Sequence, residues 1–220
     1  MKMKKLINTL ITLITILLYL SCVNNASQTQ KGINPNTEVV GIPVIYETDM
    51  TLDVDDVGAL AVLHALQKEK KVNLLGVCYN EVHPAGPAVI DAINTYYGRG
   101  TLPIGIYQKQ LADPDPSDYF SIERDFDVDN MAHDPMDNIV GNAVGVYKHL
   151  LKKQPDNSVT IISVGFLNNL YELLQDEEGH ALIEKKVKLL AIMGGLNNDG
   201  FNLVRHDLVE QSQYVIENWP

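Results

Sequence analysis

Continuous apolar runs alternating with stretches of helical period constrain this chain more than any other feature. The runs are IPVIYET (Ile42–Thr48), VNLLGVCY (Val72–Tyr79), LPIGIY (Leu102–Tyr107), SVTIISVG (Ser158–Gly165) and KVKLLAIMGG (Lys186–Gly195). They are continuous rather than alternating, as strands buried on both faces are. Between them lie helical patterns. Over 55–69, Val57, Leu60, Ala61, His64 and Ala65 recur at helical spacing. Further helices are expected over 86–98, with a glycine stop, and over 136–153, 167–186 and 207–218. Such alternation builds an α/β fold, an open and mostly parallel sheet with helices on both faces. Ligands of such sheets bind beyond the carboxyl ends of the strands. The connection over 108–135 is long, acidic and proline-rich, the kind of segment that serves function or moves.

The N-terminal segment is read apart from this domain. Lys2, Lys4 and Lys5 precede an apolar stretch, Leu6–Leu20, that is short for a membrane span and suits a signal peptide over residues 1–22. Leu20-Ser21-Cys22 is similar to a bacterial lipobox, which makes Cys22 the lipidation site. A plain cleaved signal with an incidental cysteine is the other reading. Residues 23–40 are polar and without periodicity, as a flexible tether is, so the domain is placed at 41–220. The chain is then expected to be exported to the cell envelope, meeting a membrane only through a lipid anchor. With Cys22 lipidated, Cys78 has no disulfide partner and is expected in the core. A formal charge of −11 over 220 residues excludes nucleic acid as a partner, because that needs a basic surface.

Glu47, Asp49, Asp53, Asp55 and Asp56 place five carboxylates in ten residues, between the first strand and the first helix. Asp55 and Asp56 suit a helix start, where the dipole favours acids. That leaves Glu47, Asp49 and Asp53 without a reason. Carboxylates crowded together stay ionised only beside something positive, and no Lys or Arg follows until Lys68. A hard cation and a solvated acidic turn are the two readings. ETDMT (Glu47–Thr51) also has the Asp-x-Asp-x-Thr spacing of haloacid-dehalogenase-type phosphatases, but Glu47 stands where the nucleophilic aspartate belongs.

ETDMTLDVDDVGAL (Glu47–Leu60) resembles the signature of the inosine–uridine-preferring nucleoside hydrolases, in a form with a short insertion. The likeness continues through LLGVCYN, GPAVIDAINTYYGRGTLPIG, ISVGFLNNL, LLAIMGG, FN and ENWP, in the family's order. It implies calcium-dependent hydrolysis of the N-glycosidic bond of a ribonucleoside, giving ribose and free base. It implies Asp49 as general base and Ca2+ ligand, Asp55 and Asp56 as paired Ca2+ ligands, and Asp53 as an alternative ligand. It further implies the Val164 carbonyl as a ligand, and Asp56, Asn80, Met193 and Asn202 at the substrate. The small-molecule partner would be a nucleoside, and the family's habit admits a homo-oligomer.

Three departures stand against this pattern. Thr51 occupies a glycine position, and a β-branched residue resists positive φ. Gly200 stands where the family carries Glu. The family pattern continues beyond the position of Pro220 into a segment with a His-Asp pair, so the chain reads as a C-terminally short member. The alternative function is an inactive lipoprotein of this kind that binds a sugar or nucleoside. Asn80 has a second reading as a helix cap. His83, His133 and His206 are expected at the surface or as caps, and Tyr96, Tyr97, Phe166 and Tyr171 in packing.

Overall fold

The computed structural model describes residues 41–51, 54–114, 140–195 and 202–220. Cys22 and the leader and tether, Asp53, His133, Gly200 and most of the long acidic connection lie outside the described residues.

Six strands form one sheet: β1 (Ile42–Thr48), β2 (Val72–Tyr79), β3 (Ile104–Ile106), β4 (Val140–Asn142), β5 (Val159–Ser163) and β6 (Val187–Ile192). Their order is β4-β3-β2-β1-β5-β6, and every pairing is parallel. The helices are α1 (Asp55–Lys68), α2 (Gly86–Tyr96), α3 (Ala143–Lys152), α4 (Asn168–Gln175), α5 (Glu177–Lys186) and α6 (Val209–Asn218). A 3-10 turn, Arg205–Asp207, precedes α6.

The two faces of the sheet bury different cores. Val44, Tyr46, Leu74, Val77 and Tyr79 pack with Leu60 and Leu63 of α1 and Ile90 of α2. Ile45, Cys78 and Ile161 pack on the other face with Tyr147 and Leu151 of α3, Leu170 and Leu173 of α4, and Val215 of α6. Alternate residues of β1 therefore enter opposite cores, as a pleated strand requires. Cys78 is fully buried and free, as the sequence suggested.

The α/β architecture with helices on both faces is as expected, and β1 and β2 have the expected bounds. The later strands and helices are shorter than expected, and three places show why. Helix α3 begins at Ala143 rather than near Met136. The Asn142 side chain accepts the Gly145 N–H at 2.7 Å and starts the helix there, and the three residues before it pair with β3 as a short strand. The helix expected over 167–186 is two helices. Asp176 leaves the helical region at ψ 121° and accepts the Gly179 N–H at 2.7 Å, ending α4 and capping α5 in one residue. The third strand is shorter than LPIGIY, with only Ile104–Ile106 paired.

The order of strands positions the site. The chain moves outward from β1 to β4, returns to lay β5 on the other side of β1, and moves outward again to β6. The carboxyl ends of β1 and β5 thus flank the point where the winding reverses, where open α/β sheets bind ligands.

Candidate active site

Asp49 follows β1, Asn80 follows β2 and Gly165 follows β5, so three neighbouring strands deliver these residues to one place. A Cβ on Gly165 would lie 2.5 Å from the Asp49 nitrogen, 2.6 Å from Asn80 Oδ1 and 2.8 Å from Asp49 Oδ1. No side chain fits between them, and glycine is what lets the two oxygens close on the β5 end. The Val164 N–H donates to the Glu47 carbonyl at 2.9 Å and the Asn80 N–H to the Thr48 carbonyl at 3.0 Å. These bonds fix β1 between its two neighbours at the point where the carboxylate emerges.

Asn80 is held from three sides. Its Nδ2 donates to the Phe166 carbonyl at 2.7 Å, and its own carbonyl accepts from Asn168 Nδ2 at 2.9 Å. Asn169 Nδ2 donates to the Tyr79 carbonyl at 3.1 Å. The asparagine pair that opens α4 therefore ties down the end of β2. Asn80 is fully buried and does not cap α2: the residue before that helix is Ala85, and its N–H bonds to His83 Nδ1. Asn80 Oδ1, the atom beside Gly165, is buried without a protein partner.

Asp56 is buried in the first turn of α1. Its Oδ1 accepts from the Thr48 hydroxyl, and the Tyr46 hydroxyl donates to its carbonyl at 3.1 Å. Burial, with the Asp56 charge adding to it, pushes the Tyr46 phenol well above its ordinary range, so it stays a donor. Asp55 is exposed, and its Oδ1 accepts the Asp56 N–H at 3.1 Å. The cap position itself is Val54, whose side chain supplies no bond. Thr51 is buried and has no left-handed φ, so this turn differs from one built on glycine.

Glu47 does not face the site opening. It is fully buried on the α3 face, near Ser163, Asn169, Asn80 and Tyr147. Burial pushes its carboxyl up to about 8, and those polar neighbours lower it only in part. A carboxyl so enclosed cannot serve as a phosphatase nucleophile, which removes the Asp-x-Asp-x-Thr reading.

The remaining expected residues gather on the β5–β6 side. Asn202 Nδ2 donates to the Val164 carbonyl and to the Met193 carbonyl, both at 2.8 Å. Its two amide protons are thus committed to backbone, and Asn202 reaches a ligand only through Oδ1. The Val164 carbonyl keeps a second lone pair for a cation. The Met193 side chain is about half exposed and is not core.

The histidine and aromatic expectations divide. Phe166 is core, and His83 supplies its ring nitrogen beside the start of α2. Tyr96 is exposed instead of packed, and Tyr97 is partly exposed, stacked on His64 with ring centroids 4.6 Å apart. His206 is buried, not at the surface: it pairs through Nε2 with Glu81 Oε2 at 3.1 Å. Glu81, Gly165, Asn168 and Asn169 carry no signal in the sequence for the places they take here, and nothing in the spelling of FLNNL says what its amides hold.

The oxygens that gather around Gly165, those of Asp49 and Asn80 with the adjoining Val164 carbonyl, are hard donors of the kind that calcium takes, while the Asp56 carboxylate is held by Thr48. Among the described residues no group of three or more His, Cys, Asp or Glu side chains is gathered as a metal site. Asp53 lies outside that set. A groove of about 340 Å³ opens over the ends of β2 and β3, lined by Tyr79, His83, Pro87, Ile106, Tyr107 and Lys109 among others; Asp49, Asn80 and Gly165 are not part of its lining.

No known family model matches the sequence, and no curated protein is similar to it. Solved structures are similar in fold. One is the type III effector protein XopQ complexed with adenosine diphosphate ribose: 16% identity, TM-score 0.56, covering 80% of this chain and 54% of that one. Another is the effector protein XOO4466: 17% identity, TM-score 0.57, with the same coverages. This chain spans about half the length of those proteins.

Proposed function

We propose that the chain is a calcium-dependent hydrolase of N-ribosyl bonds, releasing ribose and a free base from a ribonucleoside. One observation carries the reading: Asp49 and the Asn80 amide oxygen close on Gly165 at the reversal point of the sheet. This pairs a candidate base with an amide suited to a sugar hydroxyl. Asp49, Asp56 and the Val164 carbonyl would hold Ca2+, with Asp55 or Asp53 completing the set. When bound, the cation supplies Lewis-acid activation of water and a fixed charge that orients the sugar. Asp49 takes one proton from the attacking water as the water oxygen bonds to the anomeric carbon. The carbon–nitrogen bond breaks with its electron pair leaving on the base, which takes a proton from solvent to leave as the neutral free base, and Asp49 returns its proton to solvent. Asn80 and Asn202 orient the ribose hydroxyls, which lowers the entropic part of the barrier. The surrounding carboxylates favour the positive charge that develops on the sugar. Export and lipid attachment at Cys22, and a homo-oligomer, belong to this reading as proposals of their own.

The test is ribose release by the full chain from a panel of ribonucleosides, with Ca2+ and with chelator. Release that chelator abolishes, and that Asp49→Asn lowers about 100- to 10,000-fold, is the expected result. A folded chain that releases nothing at saturating Ca2+ would overturn catalysis. A second reading, binding without cleavage, draws support from the similar effector structure that holds adenosine diphosphate ribose. Calorimetric titration with that nucleotide separates the two.

A further inference from the structure

The segment after β6 crosses the carboxyl edge of the sheet. Asn202 is bonded to the ends of β5 and β6, through the Val164 and Met193 carbonyls. Four residues on, His206 reaches Glu81, just past the end of β2. Leu208 then packs with Tyr107 and Leu111, which follow β3, and with Phe166. Residues 202–208 therefore run as a strap from β6 to β3, past the point where Asp49 and Asn80 meet.

The strap is held against its backbone preference. Asn202, His206 and Asp207 all have positive φ, at 40°, 56° and 57°. Non-glycine residues stay in that region only where surrounding contacts over-determine them. The contact at its centre is the Glu81–His206 pair, whose side chains are both fully buried. Glu81 is fixed on its other oxygen by the Val82 N–H at 2.6 Å. The His206 ring meets the Phe166 ring edge-on, with centroids 4.7 Å apart.

We infer that Glu81 and His206 form a buried latch that positions both candidate ligand amides, Asn80 and Asn202. The contacts make a closed circuit. Asn80 donates to the Phe166 carbonyl, the Phe166 ring seats His206, His206 pairs with Glu81, and Glu81 is bonded covalently to Asn80. Opening the pair releases one side of Asn80 and frees the segment that carries Asn202. Both side chains are fully enclosed by protein, which leaves neither one open to a ligand. They are positioning residues, and they act through the two asparagines.

The latch itself does not depend on the hydrolase reading; only the identity of the ligand does. The test uses the full chain, adenosine diphosphate ribose as probe, and amide hydrogen exchange over 202–208. Glu81→Leu and His206→Leu are each expected to weaken binding about 10- to 100-fold, the usual cost of losing a positioning partner. Each is expected to raise exchange in 202–208 while β1 and β2 stay protected. The double variant should lose no more than either single one, because the pair acts as a unit. Should Glu81→Leu fail to fold, His206→Gln, which keeps a donor, is compared with His206→Leu, which does not; only the latter should open the strap. Single variants with unchanged exchange, or losses that multiply in the double variant, would overturn the latch. A wild-type chain that does not bind adenosine diphosphate ribose removes the reading of binding without cleavage and leaves ribose release to decide the hydrolase, while the exchange comparison still decides the latch.

Discussion

At the scale of single residues, burial divides carboxylates that look alike in the sequence. Glu47 and Asp49 are two positions apart at the end of β1, yet Glu47 is enclosed in the α3 core and Asp49, just past the strand, is only half-buried. The difference has a pH signature. The Glu47 carboxyl titrates near 8 in the folded chain against 4.5 for the free group. Between those values the folded state keeps a proton that the unfolded chain has shed. Its contribution is therefore full below pH 4.5, declines as pH rises to about 8, and is flat above. The slope is about 1.4 kcal/mol per pH unit within that window. Urea unfolding in chelator from pH 5 to 8.5 should show the decline in the wild-type chain and a flatter profile in Glu47→Gln. Equal slopes in both would mean that Glu47 is charged in the fold.

Asp56 is the opposite case, a buried acid with hydroxyl partners. Thr48 donates to its carboxylate and Tyr46 to its carbonyl. Its place next to exposed Asp55 is fixed by helical rotation, which turns one of two consecutive acids inward and the other to solvent.

At the scale of elements, the local devices that start and stop helices decide where the chain turns toward the site. Asp176 is both the end of α4 and the cap of α5. It also pairs with Lys148 at 2.9 Å, linking α3 to the α4–α5 corner. The cap is the larger effect, about 1 kcal/mol, since partly exposed ion pairs contribute less than about that amount. Asp176→Ala should therefore lower stability by about 1–2 kcal/mol, and Asp176→Asn, which keeps the cap and loses the charge, should recover most of it. Chemical denaturation of the three chains checks the ranking. If Asn behaves as Ala does, the ion pair and not the cap holds the corner.

The short α4 shows how an element serves the site without entering it. Its opening residues, Asn168 and Asn169, donate to the last carbonyls of β2. The Tyr79 carbonyl also accepts the Tyr107 N–H at 3.0 Å, so the Asn169 bond adds to a carbonyl already paired. The helix therefore stabilises the end of β2 and aims Asn80 by the same two bonds.

At the scale of the whole molecule, a site assembled from β1, β2, β5 and the segment after β6 exists only in the folded chain. A cation bound there must stabilise the fold by linkage. At free Ca2+ a hundredfold above its dissociation constant the gain is about 2.7 kcal/mol. The melting temperature should rise by several degrees on adding Ca2+, and the rise should vanish in Asp49→Asn. A shift that survives that substitution would put the cation elsewhere. Among the described residues no helix is long and apolar enough to cross a membrane.

The sequence by itself determined the class of fold, because continuous apolar runs and helical periods are local and repeat faithfully. Ile42–Thr48 and Val72–Tyr79 were legible to the residue. Charge crowding and motif order, readable without coordinates, also single out Asp49, Asp56, Asn80 and Asn202 as candidates. Only the tertiary structure decided that Asp49 and Asn80 meet over Gly165, because that proximity comes from the order of strands, and order is set by crossovers that no local pattern encodes. The same holds for Glu81 and His206, 125 positions apart in the sequence. Each looks solvent-bound in its own neighbourhood, and each is buried because β6 and β2 lie within reach of one strap. Helix boundaries at Asn142 and Asp176 were hidden for a related reason: a side chain that caps competes with the apolar period around it, and the fold decides which of them wins.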